Sequence, residues 1–430
     1  MTLDLLRFTT AGSVDDGKST LIGRLLYDSK QVLEDQLEHV ALASERRGGE
    51  GTLDLALLTD GLRAEREQGI TIDVAYRYFA TPRRRFIIAD CPGHRQYTRN
   101  MVTGASTADV SVVLIDARRG VLEQSKRHAF ISALLGIPQM VVAINKMDLV
   151  DYSQARFREL VEEFEGFAEK LSGGTQPGRL GLDISYIPMS ALNGDNVVER
   201  SERMDWYDGP VLLDLLEQVE VAYDHPYERP ARFPVQWVIR PSSNDPDHRD
   251  YRGYAGQLAS GALRRGDEVA VLPGGGRTRI AAIDTYDGEL EEAMAPMSLT
   301  LRLEDELDIS RGELICRPQE APVVAHELEA DVCWMTDELL RPGSRYVLKQ
   351  TSRSTMAIVE AIDDLVDVHT LERMAAPQEL GLNDIGRVRL RTSAPLVFDP
   401  YTSNRRTGSF ILIDESSNGT VGAGMIAQAA

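Results

Sequence analysis

Short apolar runs alternate with longer segments of helical periodicity over the first half of the chain. The strand-like runs cover residues 5–10, 85–90, 110–116, 140–145 and 184–188. The helical patterns between them include residues 19–29, 124–135, 153–171 and 211–219. Alternation of strands and helices is typical of a parallel-type sheet with helices on both faces, so this region is predicted to be an α/β domain.

The pattern changes beyond a proline-containing segment at residues 224–230, which we interpret as a linker. Short strand patterns then follow one another at residues 233–239, 255–260, 268–272 and 279–285, separated by Gly, Pro and Asp. A second break lies near residues 317–322. Because a sheet of many short strands leaves no exposed edge when it closes into a barrel, we predict two small antiparallel β-barrel domains. The predicted domains are residues 1–224, 230–318 and 323–430.

Composition and charge exclude several classes of protein to which the chain could otherwise belong. The 430 residues include 47 basic and 67 acidic side chains, giving a formal net charge of −20, which disfavours nucleic-acid binding through bulk charge. Cys91, Cys316 and Cys333 are too far apart to form a CxxC pair, as expected in a reducing compartment. Neither a signal peptide nor an apolar run of membrane-spanning length is evident, so we expect no membrane association and a cytoplasmic location.

A phosphate-binding loop follows the first strand. Residues 12–19 fit the pattern GxxxxGK[ST], and a helical pattern begins directly after them. Lys18 is predicted to bridge the β- and γ-phosphates, and the Ser19 hydroxyl to ligate Mg²⁺. An ordinary strand–turn–helix with a solvated lysine is the alternative. The residues predicted to bind the phosphates here are Gly12, Ser13, Val14, Asp15, Asp16, Gly17, Lys18, Ser19 and Thr20.

Two further segments would complete the phosphate and metal end of the site. Asp90 ends a strand and is predicted to hold Mg²⁺ through water, while the Gly93 N–H is predicted to donate to the γ-phosphate. Thr71 is predicted to ligate Mg²⁺ and to order its loop only with a γ-phosphate present. Alone, the first segment could be a turn with a capping aspartate, and residues 63–68 before Thr71 an exposed helix face.

Base recognition is predicted at two later strand ends. In Asn145-Lys146-Met-Asp148, the Asp148 carboxylate can accept hydrogen bonds from the N1–H and exocyclic amine of guanine, which adenine cannot donate together. Ser190, Ala191 and Leu192 are predicted to supply backbone N–H groups for guanine O6. Each segment alone could be a plain loop or helix start. Because all the motifs occur together and in this order, we predict a GTP-binding domain that uses GTP/GDP and Mg²⁺.

This set of motifs resembles the translational-type GTPases, relatives of elongation factor Tu, in which a Ras-like domain precedes two β-barrels. The phosphate loop, which reads GSVDDGKSTLIGRLLYD to Asp28, departs from the GHVDHGKT of elongation factor Tu. It resembles instead the GTPase subunits of bacterial sulfate adenylyltransferases. Residues 79–86, 89–101, 252–256 and 418–426 resemble the same family.

The resemblance implies a GTPase that drives a separate catalytic subunit, which forms adenylyl sulfate from ATP and sulfate, within a heterodimer or a higher oligomer of heterodimers. It implies that His94 is catalytic and that Val14 and Ile70 form an apolar gate near it; the alternative is that His94 packs within its helix. In some relatives an adenylyl-sulfate kinase domain follows, and the ending at Ala430 would suit a truncated fusion.

Two other functions remain open at this point. The first is an elongation-factor-like GTPase that carries aminoacyl-tRNA, against which the loop residues Ser13 and Asp16 argue. The second is a GTP sensor with no coupled enzyme. Residues 83–85 are predicted to be a solvated hairpin tip and residues 273–277 a turn, while the polar loop at 241–250 is long enough to reach a partner or the nucleotide.

Overall fold

The computed structural model describes most of the chain, in two compact units. The described residues are 4–30, 35, 40, 55–58, 73–94, 98–173, 182–221, 228–241, 251–367, 370–375 and 377–430. One unit is Met1–Val221 with Asp367–Glu372, and the other is Ala222–Val366 with Arg373–Ala430. The predictions for residues 63–68, Ile70, Thr71 and the larger parts of segments 224–230 and 241–250 lie outside the described residues.

The first unit is built on a six-stranded sheet with the order β2-β3-β1-β4-β5-β6. Its strands are β1 Asp4–Ala11, β2 Ala75–Ala80, β3 Arg84–Asp90, β4 Val110–Asp116, β5 Gln139–Asn145 and β6 Asp183–Pro188. Neighbouring strands pair in parallel except β2 and β3, which form an antiparallel hairpin. The predicted parallel-type sheet is confirmed. The hairpin predicted around residues 83–85 is found, but residues 81–83 form its tip, and Arg84 is buried in β3 rather than solvated.

Helices cover both faces of this sheet. They are α1 Lys18–Asp28, α2 Thr98–Ala105, α3 Glu123–Leu134, α4 Gln154–Gly173 and α5 Leu212–Gln218, with short 3₁₀ segments at Leu55–Leu58 and Met147–Val150. Val112 and Leu114 of β4 share a buried cluster with residues of α1 and α5. Ser111, which points the other way, contacts Ser132 of α3 at 2.8 Å between hydroxyl oxygens. None of the helices in the described ranges is long and apolar enough to span a membrane.

The second unit contains two closed antiparallel barrels of six strands each, as predicted. The first barrel closes in the order β10-β15-β7-β8-β14-β11, and β11 pairs back with β10. Its elements are β7 Phe233–Ile239, β8 Gly253–Gln257, β9 Ala262–Arg264, β10 Glu268–Leu272, β11 Gly276–Thr285, β12 Gly288–Leu290, β13 Glu292–Met294, β14 Ser298–Leu303 and β15 Leu314–Cys316. Phe233, Leu263 and Ile283 are among its fully buried core residues.

The second barrel closes in the order β17-β21-β22-β16-β20-β18, and β18 pairs back with β17. Its elements are β16 Val323–Trp334, β17 Arg345–Gln350, β18 Arg353–Val366, β19 Arg373–Ala375, β20 Ile385–Phe398, β21 Ser409–Ile413 and β22 Thr420–Ala429. Trp334 and Phe398 are buried in its core. Closure leaves the hydrogen-bonding groups of the twelve ring strands paired with neighbours, so both barrels avoid open sheet edges.

Polar contacts fasten the two barrels to each other within this unit. The guanidinium of Arg232 donates to both carboxylate oxygens of Asp399, at 2.9 and 2.8 Å. The Ser352 hydroxyl donates to the carbonyl of Val235 at 2.8 Å. Because Arg232 is only 3% exposed, this ion pair is withdrawn from water and fixes one barrel on the other.

Candidate nucleotide-binding site

The predicted phosphate loop lies between the end of β1 at Ala11 and the start of α1 at Lys18. Gly17 caps α1 with a left-handed backbone (φ 96°), and no side chain hydrogen-bonds to the first turn of this helix. The first turn also contains no acidic residue. Its N–H groups and the positive end of the helix dipole therefore suit an anion, as a nucleotide phosphate requires.

Both glycines of the loop are required by close approach as well as by backbone conformation. A Cβ on Gly12 (φ 144°) would lie 2.8 Å from the carbonyl oxygen of Leu114. A Cβ on Gly17 would lie 2.4 Å from the side-chain nitrogen of Asn145. Any side chain at these positions would push the loop away from β4 or from the turn that contains Asn145.

Lys18 is buried where the phosphate loop meets the segment that follows β3. Its ammonium donates to the carbonyls of Gly12 at 3.1 Å and Ser13 at 2.8 Å. A Cβ on Gly93 would lie 2.5 Å from Lys18 Nζ, so the absence of a side chain at Gly93 allows the two segments to meet. Burial lowers the pKa of Lys18, and the carboxylates of Asp90 and Asp16 oppose that shift. The geometry fits a lysine held ready for a phosphate.

Asp90 lies at the carboxyl end of β3, beside β1. It is 3% exposed, and its carboxylate accepts a hydrogen bond from the Thr10 hydroxyl at 3.3 Å. His94 follows on an exposed turn. Ile70 and Thr71 lie outside the described residues, so the Mg²⁺ ligation by Ser19, Thr71 and Asp90 stays a prediction. The same holds for the predicted gate, of which only the half-buried Val14 belongs to the described part of the chain.

At the base end, Asn145 connects three predicted segments. Its side-chain N–H donates to the carbonyl of Asp16 at 2.8 Å, and its side-chain oxygen accepts from the N–H of Ala191 at 2.9 Å. The Ala191 amide, one of those predicted to donate to guanine O6, therefore donates to Asn145 in this structure. The O6 role stays a prediction for Ser190, Ala191 and Leu192 as a segment.

Lys146 makes a second connection between the base turn and the phosphate loop. Its ammonium donates to the carbonyl of Asp15 and pairs with the buried carboxylate of Asp116 at 3.0 Å. Burial alone would raise the pKa of Asp116, but hydrogen bonds from Arg118 and Lys146 outweigh it and lower the value to about 2. Asp116 is therefore ionised at neutral pH and holds Lys146 in place.

The Asp148 carboxylate is free to accept a hydrogen bond. Its Oδ1 atom is buried and has no hydrogen-bond partner among the described residues. Buried polar atoms in proteins are almost always paired, so an unpaired oxygen at this position can accept from a donor such as a ligand N–H group. The N1–H and exocyclic amine of guanine are such donors, and the residues present fit the predicted base.

Two residues that support this site were not identified from the sequence. The Gly12 N–H donates to Nδ1 of His128 in α3 at 2.9 Å, and Nε2 of His128 lies 2.9 Å from the Gln124 side chain. Burial, with Lys18 and Arg127, lowers the pKa of His128 to about 3, so the ring is neutral. Arg24 of α1 donates to the carbonyls of Ala191 and Leu192. The sequence assigned no role to either residue, since tertiary packing creates both contacts.

Comparison with known proteins agrees with this geometry. The family model described as "Elongation factor Tu GTP binding domain" matches residues 3–224, and "GTP-eEF1A C-terminal domain-like" matches residues 327–427. "Sulfate adenylyltransferase subunit 1" of Alteromonas mediterranea is 51% identical over 424 residues, which cover 98% of this chain and 87% of that protein. The protein of the same name from Aeromonas hydrophila is 53% identical over 426 residues, covering 99% and 86%.

The chain belongs to the sulfate adenylyltransferase subunit 1 family.

Relatives with a longer chain match equally well. "Bifunctional enzyme CysN/CysC" of Mycobacterium tuberculosis is 56% identical over 423 residues, which cover 98% of this chain and 67% of that protein. Identity at this level over nearly the whole length favours membership of the sulfate adenylyltransferase family over the elongation-factor-like alternative.

Proposed function

We propose that this subunit binds and hydrolyses GTP, and that hydrolysis drives a separate catalytic subunit to form adenylyl sulfate from ATP and sulfate. The observation that carries the proposal is that one site contains both a phosphate end and a base end, in a chain that belongs to this family. Lys18, Gly93 and Asp90 gather at one end of the site, and Asn145 connects that end to the unpaired carboxylate oxygen of Asp148. One end suits a polyphosphate and the other suits guanine.

At the phosphate end, Lys18 would contact the β- and γ-phosphates while the carbonyls of Gly12 and Ser13 hold its ammonium. The loop N–H groups and that of Gly93 would donate to the phosphate oxygens. Ser19 and Thr71, with Asp90 through water, would hold Mg²⁺. When bound, Mg²⁺ neutralises charge that builds up on the phosphate oxygens during transfer.

At the base end, the Asp148 carboxylate would accept from guanine N1–H and the exocyclic amine, and a backbone N–H of the segment Ser190–Leu192 would donate to O6. Lys146 would lie along the base because its ammonium is already fixed between Asp15 and Asp116. A site that is built to accept from the guanine amine disfavours bases that lack it by a large factor.

For hydrolysis, His94 would orient the water that attacks the γ-phosphorus. Phosphoryl transfer depends on the position of that water and on charge stabilisation more than on covalent help from the protein. Val14 and Ile70 would keep His94 away from the phosphate until a partner closes the site. Free GTP hydrolysis is therefore expected to be slow, and the partner is expected to raise it.

The partner is the catalytic subunit, in a heterodimer or a higher oligomer of heterodimers. Adenylyl sulfate formation is uphill because it creates a phosphate–sulfate anhydride, and coupling to GTP hydrolysis supplies the missing free energy. In a bifunctional CysN/CysC arrangement, an adenylyl-sulfate kinase domain would follow the present domains and consume the product.

The decisive experiment measures GTP hydrolysis by this chain alone and with the catalytic subunit, ATP and sulfate. We expect a large stimulation only with all three, together with GTP-dependent adenylyl sulfate formation. The Asp148→Asn protein should instead respond to xanthosine triphosphate, because its amide donates where the carboxylate accepted. A rate of GTP hydrolysis that does not change when the catalytic subunit, ATP and sulfate are added would overturn the coupling. Undiminished GTP use by Asp148→Asn would overturn the base assignment.

A further inference from the structure

One tyrosine hydroxyl connects the chain segments that leave the two predicted base-binding turns. Tyr152 follows the Asn145–Asp148 turn, and its hydroxyl donates to the Asp195 carboxylate at 3.1 Å. The same oxygen accepts from the side-chain amide of Asn193 at 3.1 Å and from the guanidinium of Arg203 at 2.5 Å. One donated and two accepted hydrogen bonds exhaust the capacity of a hydroxyl group.

The backbone at Tyr152 is held in a conformation that it would not adopt alone. Asp151 (φ 53°) and Tyr152 (φ 54°) are consecutive non-glycine residues in the left-handed region. The Tyr152 N–H donates to the carbonyl of Met147 at 2.9 Å, and the indole N–H of Trp206 donates to the Tyr152 carbonyl at 3.1 Å. Such strain persists only where surrounding contacts determine the conformation, and it often marks a functional site.

Asp195 transmits the contact to the second base-binding segment. The N–H of Ser190 donates to the Asp195 carbonyl at 3.1 Å. The N–H of Asn193 in turn donates to the Ser190 hydroxyl at 3.3 Å, and the Ser201 hydroxyl fixes the other Asp195 carboxylate oxygen at 2.7 Å. Tyr152 is therefore two hydrogen bonds away from Ser190 and lies four residues after Asp148.

Arg203 adds a positive charge to the same network. Arg203 pairs with Asp195 at 3.6 Å, and its guanidinium lies over the Tyr152 ring, 5.4 Å from the centroid. The Tyr152 hydroxyl, with smaller contributions from the negative charges of Asp195 and Asp148, raises the pKa of Arg203. The arginine thus connects Tyr152 to Asp195, whose carbonyl accepts from the N–H of Ser190.

We propose that Tyr152 is a positioning residue for guanine specificity: its hydroxyl fixes the distance between the Asp148 turn and the Ser190–Leu192 segment. The inference rests on the proposed function, because it takes these two segments to be the base pocket. Tyr152 does not touch the base in this proposal. It sets how well Asp148 can meet the exocyclic amine, which is the group that distinguishes guanine from hypoxanthine.

The test compares the affinities for GDP and inosine diphosphate, which differ only in that amine. In Tyr152→Phe we expect GDP affinity to fall roughly ten-fold, as the loss of a hydrogen-bond hub implies, and the preference for GDP over inosine diphosphate to fall several-fold. Simple destabilisation would lower the bound fraction but leave the ratio of the two affinities unchanged. The ratio is therefore specific to positioning.

Tyr207→Phe is the matched control. Its hydroxyl shares its one proton between the carbonyls of Tyr186 and Pro210, at 3.2 and 3.0 Å, and these two carbonyls lie outside both base-binding segments. This variant should keep the wild-type ratio. If Tyr152→Phe does not fold, Arg203→Met carries the test, because Arg203 is largely exposed (58% of its side chain) and its loss removes one bond to the Tyr152 hydroxyl.

The outcomes separate this inference from the proposed function. Wild-type protein that binds GDP and inosine diphosphate equally would show that the base pocket itself is misassigned. A wild-type preference for GDP that survives unchanged in both Tyr152→Phe and Arg203→Met would overturn the positioning role alone. A reduced preference in Tyr152→Phe, with Tyr207→Phe unchanged, would support it.

Discussion

The backbone N–H of Gly12 donates a 2.9 Å hydrogen bond to Nδ1 of His128, so that a helix beside the sheet holds the first residue of the phosphate loop. A neutral imidazole that accepts at Nδ1 carries its proton on Nε2, where Gln124 lies 2.9 Å away. The Gln124 side-chain oxygen, rather than its nitrogen, should therefore face the ring. Protonation of Nδ1 would remove the acceptor that holds Gly12.

The first prediction concerns acid sensitivity. Burial lowers the pKa of His128 from 6.5 to about 3, so the fold favours the neutral ring. The stabilisation is complete above pH 6.5 and is lost as the pH falls from 6.5 toward 3, at up to about 1.4 kcal/mol per pH unit for one proton. His128→Gln should show a flatter dependence of the free energy of unfolding on pH between 6.5 and 4, measured by urea denaturation.

His326→Gln serves as the control for this measurement. His326 is an exposed residue of β16 whose Nδ1 lies 3.0 Å from the carbonyl of Thr392, outside the nucleotide site. Its replacement should leave the pH dependence of the wild type in place. Equal slopes for His128→Gln and wild type would contradict a buried neutral His128.

The second prediction concerns Gly93, where a methyl group has no room. A Cβ there would lie 2.5 Å from Lys18 Nζ and 2.8 Å from the Gly12 carbonyl. Overpacking of this kind costs about 1–3 kcal/mol, so Gly93→Ala should bind GTP and GDP roughly ten-fold more weakly in equilibrium titrations. Gly166→Ala in α4 is the control, since its Cβ would meet nothing within 4 Å. Unchanged affinity in Gly93→Ala would refute this close packing.

The third prediction tests the buried pair between the barrels. Among the described residues, Arg232→Met leaves the Asp399 carboxylate with the Thr407 hydroxyl, at 2.6 Å, as its remaining hydrogen-bond donor. Breaking a buried pair on one side costs about 3–5 kcal/mol, whereas replacing both partners with apolar residues costs much less. Arg232→Met should lower the unfolding free energy of the barrel unit accordingly, and Arg232→Met with Asp399→Leu should recover most of the loss.

An exposed ion pair of the same barrel provides the comparison. Arg264 pairs with Glu292 at 2.7 Å, but its side chain is 60% exposed. Arg264→Met is expected to cost at most about 1 kcal/mol. Similar losses for Arg264→Met and Arg232→Met would mean that burial does not strengthen the contact between the barrels.

The sequence predicted best the elements whose burial produces a clear pattern of apolar residues along the chain. Residues 110–116 were predicted as a strand and are found as Val110–Asp116, because a parallel strand buried on both faces is a continuous apolar run. Strand β2, AYRYFA, was predicted only indirectly, as the first strand of a hairpin, since it lies at the sheet edge with Tyr76 and Tyr78 exposed.

In the site too, the sequence predicted residues of local motifs but not residues that act through tertiary contacts. Motifs indicated Lys18, Asn145 and Asp148 because fixed spacing on strand–turn–helix units determines where these residues lie. His128 and Tyr152 could not be predicted in this way. Each acts through a contact with a residue distant in sequence or in another loop, Gly12 and Asp195 respectively, and only the folded chain brings those partners together.

The last prediction concerns His94 and the coupling of GTP hydrolysis to adenylyl sulfate formation. His94 lies one residue after Gly93, which packs against Lys18 and the phosphate loop, so its segment borders the proposed γ-phosphate end of the site. If His94 orients the attacking water, its loss should remove a positioning effect and no binding contact. His94→Ala should therefore retain wild-type affinity for GTP, GDP and the catalytic subunit.

His94→Ala should lose most of the hydrolysis that the partner stimulates, a stimulation that reaches roughly 10⁵-fold in other GTPases. GTP-driven adenylyl sulfate formation should fall with it, while any GTP-independent activity of the catalytic subunit persists. Single-turnover hydrolysis and adenylyl sulfate yield, measured on the same assembled complex, check both effects. If His94 instead only packs within its turn, His94→Ala would hydrolyse GTP normally when stimulated. That result would remove His94 from the mechanism and leave the nucleotide site intact, because the hydrogen bonds of Lys18 and Asn145 described above are made with other residues.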